Sequence, residues 1–288
     1  MTATEFDHTR FKEDQRLHWD AISAGWSSVA DAFERGAGVV TARLLELGGV
    51  AAGDSVLDVG TGVGEPALTA AAAVGPAGRV VGVDLSPAMV ELARRNGAGV
   101  ANAEFLVGDV ESLDLPRSGF DVVLARWSLM FAPEPAAAFR SLARVLKPGG
   151  VLAASTWGPP ETAPMLSLGF RVLVTRLDLP APAPGVPGPF GMADPEVPAR
   201  HLAAAGFTDV SVTEVEVPFE LPSPEAYARF TEAITPVAIR RRAREVLGAD
   251  TSALWAEVAA STAPHRRPDG SVALPSKALC LRATAPSA

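Results

Sequence analysis

Three acidic side chains stand where they could serve three parts of one ligand. The run Val56-Leu57-Asp58-Val59-Gly60-Thr61-Gly62-Val63-Gly64 places an aspartate and three alternating glycines between an apolar segment and a stretch opening with Glu65 and Pro66. Glycine allows a sharp turn and lets a ligand approach main-chain atoms without hindrance from Cβ, so a nucleotide-type ligand can rest against Gly60, Thr61 and Gly62. The spacing is GxGxG where a dinucleotide fold would run on to GxGxxG, and Glu65 puts negative charge where a pyrophosphate would dock. The turn therefore suits a cationic ligand better than a diphosphate. Asp84 ends the next apolar run, where a carboxylate accepts hydrogen bonds from both hydroxyls of a ribose. In Gly108-Asp109-Val110, at the end of a third run, the carboxylate could accept from an adenine amino group while Val110 donates its backbone N–H.

These residues need a scaffold that brings strand ends together. SVLDVG, RVVGVDLS, AEFLVGDV, FDVVLARWS and VLAASTW read as five buried strands, alternating with helices over about Pro66 to Val74, Pro87 to Asn96 and Pro135 to Val145. FTDVSVTEVEVPF and a last run near Ala278 to Ala283 add two strands. The expectation is a doubly wound α/β fold with a seven-stranded, mostly parallel sheet, binding its ligand at the carboxyl ends of the strands. Apolar residues from Leu17 to Phe33 predict a helical N-terminal preface that breaks at Gly36 and Gly38, with a second short helix around Val39 to Leu45. The expected organisation is a helical cap over 1–50, a ligand-binding core over 51–158, and a C-terminal part over 159–288. That last part carries lid insertions at about 159–194 and 222–265. The stretch PAPAPGVPGPFGMADPEVP is too rich in proline and glycine for regular structure and reads as a long crossing loop.

Composition narrows the partners. A net charge of -8 over 288 residues offers no field to attract a phosphate backbone, so a nucleic-acid partner is not expected. No segment approaches the roughly 20 apolar residues of a membrane span, and MTATEFDHTRFKEDQ lacks the apolar core of a signal peptide. The expectation is a cytoplasmic protein, with a homodimer left open as its assembly. Cys280, the single cysteine, excludes an internal disulfide and lies in an alternating apolar run that suits a buried structural thiol. No HxxxH or CxxC pattern suggests a metal.

VLDVGTGVGEP, VVGVDLSPAMVELAR, FLVGDVESL, FDVVLARWSLMF and LKPGG resemble, in order and spacing over residues 54 to 157, the motifs of class I S-adenosylmethionine-dependent methyltransferases, particularly the ubiquinone and menaquinone C-methyltransferases. The resemblance implies a Rossmann-like core. It implies that Asp58 and the turn from Gly60 to Gly64 hold the methionine portion and that Asp84 holds the ribose. Leu85 and Met89 would flank the adenine, and Asp109 with Val110 would read its amino edge. It further implies that Arg126 lies near the sulfonium and that Trp26 matches an aromatic residue covering the cofactor, a position where tyrosine is commoner.

The function expected is methyl transfer from S-adenosylmethionine, leaving S-adenosylhomocysteine, to oxygen or carbon of a hydrophobic small molecule, a natural product or quinone-like compound. Apolar residues such as Phe190, Phe230, Ile234 and Val237 suggest that substrate class. His18, on the preface, and Arg126 are the candidate catalytic groups, as a base and an orienting charge; His201 reads as structural. Two alternatives stay open. One is a methyltransferase-like cyclase or pericyclase that binds the cofactor without transferring its methyl group; the other is a cofactor-binding sensor.

Overall fold

The computed structural model describes residues 7–180 and 186–287. Seven strands form one sheet: β1 Ser55–Val59, β2 Arg79–Asp84, β3 Ala103–Val107, β4 Phe120–Arg126, β5 Leu146–Trp157, β6 Thr208–Leu221 and β7 Val272–Thr284. Their order is β3-β2-β1-β4-β5-β7-β6. The first five run parallel, while β7 is antiparallel to both β5 and β6. In β4, Val122 to Ala125 are all buried, as a parallel strand covered on both faces requires. Strand order reverses between β1 and β4, which opens a crevice beyond their carboxyl ends.

Helices cover both faces. Leu152, Ala154 and Thr156 of β5 gather with Phe139 of α4 (Pro135–Val145) and Leu202 of α6 (Glu196–Ala204) around one apolar space. Alternation along the strand turns Ala153 and Trp157 to the other face, toward α1 (His8–Gly48). There the Trp157 ring lies 6.3 Å from that of Phe33. The helices α2 (Ala67–Val74) and α3 (Pro87–Asn96) cover β1, β2 and β3.

The preface is one 41-residue helix, with no break at Gly36 or Gly38. Each interior glycine costs about 1 kcal/mol against alanine, yet Gly36 is needed where it stands. A Cβ there would meet the Phe219 ring at 2.5 Å, so the small residue lets the helix lie directly on β6. Phe33, Ala37, Val40 and Leu44 are buried along the same stripe, and their burial outweighs the local propensity. The helix stops instead at Gly49, left-handed at φ 66°, whose N–H bonds back to Glu46 and Leu45 carbonyls.

After β5 come α5 (Pro164–Leu177), the crossing segment and α6. Gly188 donates to the Met130 carbonyl at 3.0 Å and Thr156 Oγ1 to that of Met192 at 3.1 Å, pinning the described end of the crossing segment. Between β6 and β7 lie α7 (Pro224–Ile234), α8 (Val237–Leu247) and α9 (Ser252–Ala260). β7 is longer than the run near Ala278 to Ala283 suggests, its ladder with β6 running on past Pro275, opposite Pro218, to Val272 opposite Leu221. No helix among the described residues is long and apolar enough to cross a membrane.

Candidate active site

The glycine turn joins β1 to α2. Gly60, Gly62 and Gly64 all adopt positive φ (70°, 55° and 117°), a region costly for residues with a Cβ. Gly60 is constrained twice, since a Cβ would stand 2.2 Å from that of Ser128, whereas a Cβ on Gly62 would meet nothing within 4 Å. Gly60 and Thr61 N–H groups donate to the Val83 carbonyl at 2.7 and 3.1 Å. Asp84 completes the tie, accepting from Gly62 N–H through Oδ2 and from Ser86 N–H through Oδ1, each at 2.9 Å. Burial raises the Asp84 pKa, while the Ser86 and Gly62 N–H groups pull it back down and Asp20 adds to the rise.

Asp58 is fully buried at the carboxyl end of β1. Its Oδ2 accepts from Ala67 N–H at 3.2 Å, at the start of α2. Its Oδ1 has no hydrogen-bond partner, and neither does the buried Thr61 hydroxyl. Burial pushes Asp58 up to about 7; the Thr61 hydroxyl, close by though outside hydrogen-bonding geometry, and Arg126 oppose that rise, and Glu65 adds to it. A buried acceptor and hydroxyl left without partners form a site with unmet demand for a cationic or donating group.

At the end of β3, Gly108 N–H donates to the Asp84 carbonyl at 2.9 Å. A Cβ on Gly108 would meet Val83 Cγ1 at 2.9 Å. Asp109 caps the 3-10 turn Val110–Ser112, accepting from Glu111 N–H. Leu85 is half-buried between Asp84 and the α3 cap at Ser86, and Met89 is buried one turn into α3. Asp58, Gly60, Thr61, Gly62, Asp84, Leu85, Met89, Gly108, Asp109 and Val110 thus lie at or just beyond the carboxyl ends of the adjacent strands β1, β2 and β3.

The first turns of α1 lie across these ends. Lys12 Nζ donates to Asp109 Oδ2 at 2.7 Å and pairs with Glu111. Asp20 accepts from Ser86 Oγ at 2.5 Å and Ala88 N–H at 3.1 Å, and pairs with Arg16 at 2.9 Å. Asp20 therefore caps α3 from a distant helix. Neither Lys12 nor Asp20 stands out in the sequence; only the local spacing of Arg16 and Asp20, one helical turn apart, hints at an ion pair.

Arg126 is buried and committed. It makes a two-pronged pair with Glu34 of α1 and donates to Thr41 Oγ1 at 2.8 Å. It also approaches the Glu65 carbonyl at 3.4 Å. Its guanidinium thus joins α1 to the residue after the glycine turn. Trp26 packs in an aromatic cluster with Trp19, Phe33 and Phe230, at centroid distances of 6.4, 5.1 and 6.4 Å. His18 stacks obliquely on Trp19 at 5.1 Å. Burial first, and Arg240 of α8 second, lower its pKa to about 4, so it is a neutral imidazole at pH 7. Tyr227 is fully buried, accepting from Gly169 N–H at 2.7 Å. His201 lies on α6 and stacks on Phe139, away from the strand ends, and Cys280 is buried in β7. A separate cleft of about 540 Å³ between α7 and α9 is lined by Trp255, Arg229 and Arg266 among others and contains none of these groups.

Residues 57–154 match the model of a methyltransferase domain. Across 67% of this chain and 72% of the relative, the sequence is 32% identical to nocamycin O-methyltransferase of Saccharothrix syringae. The chain belongs to the class I S-adenosylmethionine-dependent methyltransferases. It is 41% identical to the ubiquinone/menaquinone biosynthesis C-methyltransferase UbiE of Pseudomonas putida, over 38% of this chain and 43% of that one. The chain spans less than half the length of several relatives it matches. In fold it is similar to the cyclase SpnF, with a TM-score of 0.55 at 22% identity, covering 94% of this chain and 97% of that one.

Proposed function

We propose that the chain transfers a methyl group from S-adenosylmethionine to oxygen or carbon of a hydrophobic small molecule, a natural product or quinone-like compound. The observation that carries this reading is the unmet pair at the base of the glycine turn, Asp58 Oδ1 and Thr61 Oγ1, beside a carboxylate, Asp84, that orders the same turn through Gly62. A cationic amino-acid moiety satisfies the first and a ribose diol the second. Asp58, Gly60, Thr61 and Gly62 would hold the methionine portion and Asp84 the ribose. Leu85 and Met89 would flank the adenine, Gly108, Asp109 and Val110 would meet its edge, and Trp26 would close over it from α1. The family membership and the nocamycin O-methyltransferase match support the same reading.

When bound, S-adenosylmethionine supplies a methyl group already activated by the sulfonium. The chain's own task is then to orient the acceptor, exclude water and take up a proton where the acceptor loses one. His18, whose pKa burial and Arg240 lower to about 4, is neutral but only weakly basic at pH 7 and is the candidate base. Arg126 is a positioning residue, acting through Glu34 on α1 and through the Glu65 carbonyl on the turn. The mutual aromatic packing of Trp26, Phe33 and Phe230 favours an apolar acceptor.

Calorimetric titration with S-adenosylmethionine and S-adenosylhomocysteine, after mass spectrometry of the purified protein for co-purified ligand, tests the reading. Micromolar binding weakened by about 10- to 100-fold in Asp84→Ala, the worth of one or two hydrogen bonds to a charged group, is the expected result. Methylated product then appears as a 14-dalton gain in a substrate screen, against an unchanged mass for cyclisation. Absence of cofactor binding in folded, ligand-free protein would refute the proposal.

A further inference from the structure

The cleft of about 540 Å³ between α7 and α9 has the size of a small-molecule site. Both bordering helices are tied to α5. Tyr227 of α7 accepts from Gly169 N–H at 2.7 Å and donates to the Pro164 carbonyl at 3.3 Å, while Glu257 of α9 pairs with Arg176 at 3.1 Å. A space between two helices anchored to a third is preformed, as ligand sites usually are. Phe230 lies on the opposite face of α7 and packs on Trp26 and Phe33. α7 therefore stands between the cleft and the aromatic cluster around Trp26, and an occupant of the cleft is a second ligand, distinct from the methyl acceptor.

The chemistry of the walls says what fits. Trp255 and five alanines, among them Ala256 and the buried Ala228 and Ala259, line the cleft. Such small side chains leave room for a flat apolar body against the Trp255 ring. Arg229 of α7 and Arg266, beyond α9, border the same space from its two sides. Neither guanidinium makes an ion pair or a hydrogen bond among the described residues, and the Trp255 indole N–H likewise has no acceptor. Glu225 and Glu232 border the cleft too. The Glu225 carboxyl is held below its ordinary range first by the Ser223 hydroxyl and its own N–H, with Arg266 and Arg229 adding less. Two acids beside two arginines leave the walls without net charge, which suits one negative charge and disfavours the second charge of a phosphate dianion.

We infer that this cleft is a second ligand site, taking a small organic monocarboxylate whose apolar body lies against Trp255 and the alanines and whose carboxylate is held by Arg229 and Arg266. A planar guanidinium matches a carboxylate in two-pronged geometry, and removal of the apolar body from water adds to the affinity. A neutral amide of the same shape keeps the second contribution and loses the first. The site stands apart from the methyl-transfer reading, since none of the residues assigned to the cofactor lines it.

The test is calorimetric titration of the full chain with two compounds of one shape, 1-naphthaleneacetate and its uncharged amide. The acid binds saturably and about tenfold more tightly than the amide, through its charge-assisted hydrogen bonds. In the double variant Arg229→Gln/Arg266→Gln, affinity for the acid falls about tenfold while that for the amide changes by less than about twofold. Ala256→Leu, at an exposed position of α9 where leucine suits a helix, fills the cleft and weakens both compounds at least about tenfold. Saturating S-adenosylhomocysteine leaves the affinity for the acid within about twofold. In wild-type protein with 15N-labelled indoles, the Trp255 cross-peak, assigned by its loss in Trp255→Phe, moves as the acid is added, a measurement that holds even where a cleft variant fails to fold. Equal binding of acid and amide, an affinity untouched by the arginine or Ala256 changes, competition with S-adenosylhomocysteine, an unmoved Trp255 peak or no saturable binding of the acid overturns the site and leaves the cofactor reading standing. Failure of S-adenosylhomocysteine to bind, with the acid still bound, overturns the cofactor reading alone.

Discussion

Asp58, buried with one carboxylate oxygen unpaired, ties charge to the proposed ligand site. Its folded pKa of about 7, raised chiefly by burial, lies above the ordinary carboxylate value, so between about pH 4 and 7 the folded state holds a proton that the unfolded chain has released. Stability of the ligand-free protein therefore falls as pH rises through that window. Asp58→Asn, which keeps an acceptor for Ala67 N–H, is expected to flatten the decline in thermal-melt midpoints across pH 5 to 7.5. Binding of a cation beside Oδ1 favours the ionised carboxylate, so S-adenosylmethionine should bind more tightly as pH rises through 7, with a proton released. Calorimetry in buffers of different ionisation enthalpy measures that proton, and Asp58→Asn should abolish its release. His18 acts oppositely. Its pKa, lowered to about 4, means that below about pH 6.5 the unfolded chain takes up a proton the folded state refuses, so its contribution to stability is lost as pH falls toward 4. The melt midpoint of His18→Gln should fall less steeply than wild type between pH 6.5 and 4.5.

Among elements, α1 ties the strand ends together through Lys12, Asp20 and Glu34. Lys12 sits on the Asp109 carboxylate that the adenine edge is proposed to use, so on that proposal a bound cofactor must share or displace the latch. Lys12→Ala is expected to speed cofactor association and dissociation severalfold in stopped-flow tryptophan fluorescence; unchanged rates in both directions would show that the latch does not gate the cleft. Deeper along the helix, the Glu34–Arg126 pair is largely withdrawn from water. Removing one partner leaves a buried charge without its counterion. Glu34→Gln should cost about 3 kcal/mol in denaturant titration, the low end for a buried pair because Glu34 keeps some solvent contact. A loss below about 0.5 kcal/mol would place the pair with surface ion pairs.

At the scale of the whole molecule, cofactor and fold share one free energy. A ligand that binds only the folded state at 100 times its dissociation constant stabilises it by about 2.7 kcal/mol. S-adenosylhomocysteine at that excess should raise the melting midpoint by several degrees in wild type and by about half as much or less in Asp84→Ala at the same concentration. The sheet, its seven strands and the acid-bearing strand ends follow from local signals: apolar runs of strand length, glycines whose positive φ is a property of one turn, and acids that end the runs. Alternating polarity also marked β6 and part of β7. What only the tertiary structure decided lies where distant segments meet. Gly36 looks like a helix break until β6 brings Phe219 against it, because its cost is local and its compensation is not. Lys12, Asp20 and Glu34 read as ordinary helix-surface charges, yet they hold Asp109, the α3 cap and Arg126. Arg126 and Trp127 are legible as strand-end residues, but the ion pair that occupies the one and the unpaired indole N–H of the other depend on what the fold sets around them. Backbone geometry is written in near neighbours; the partners of a side chain are chosen by the packing of the whole.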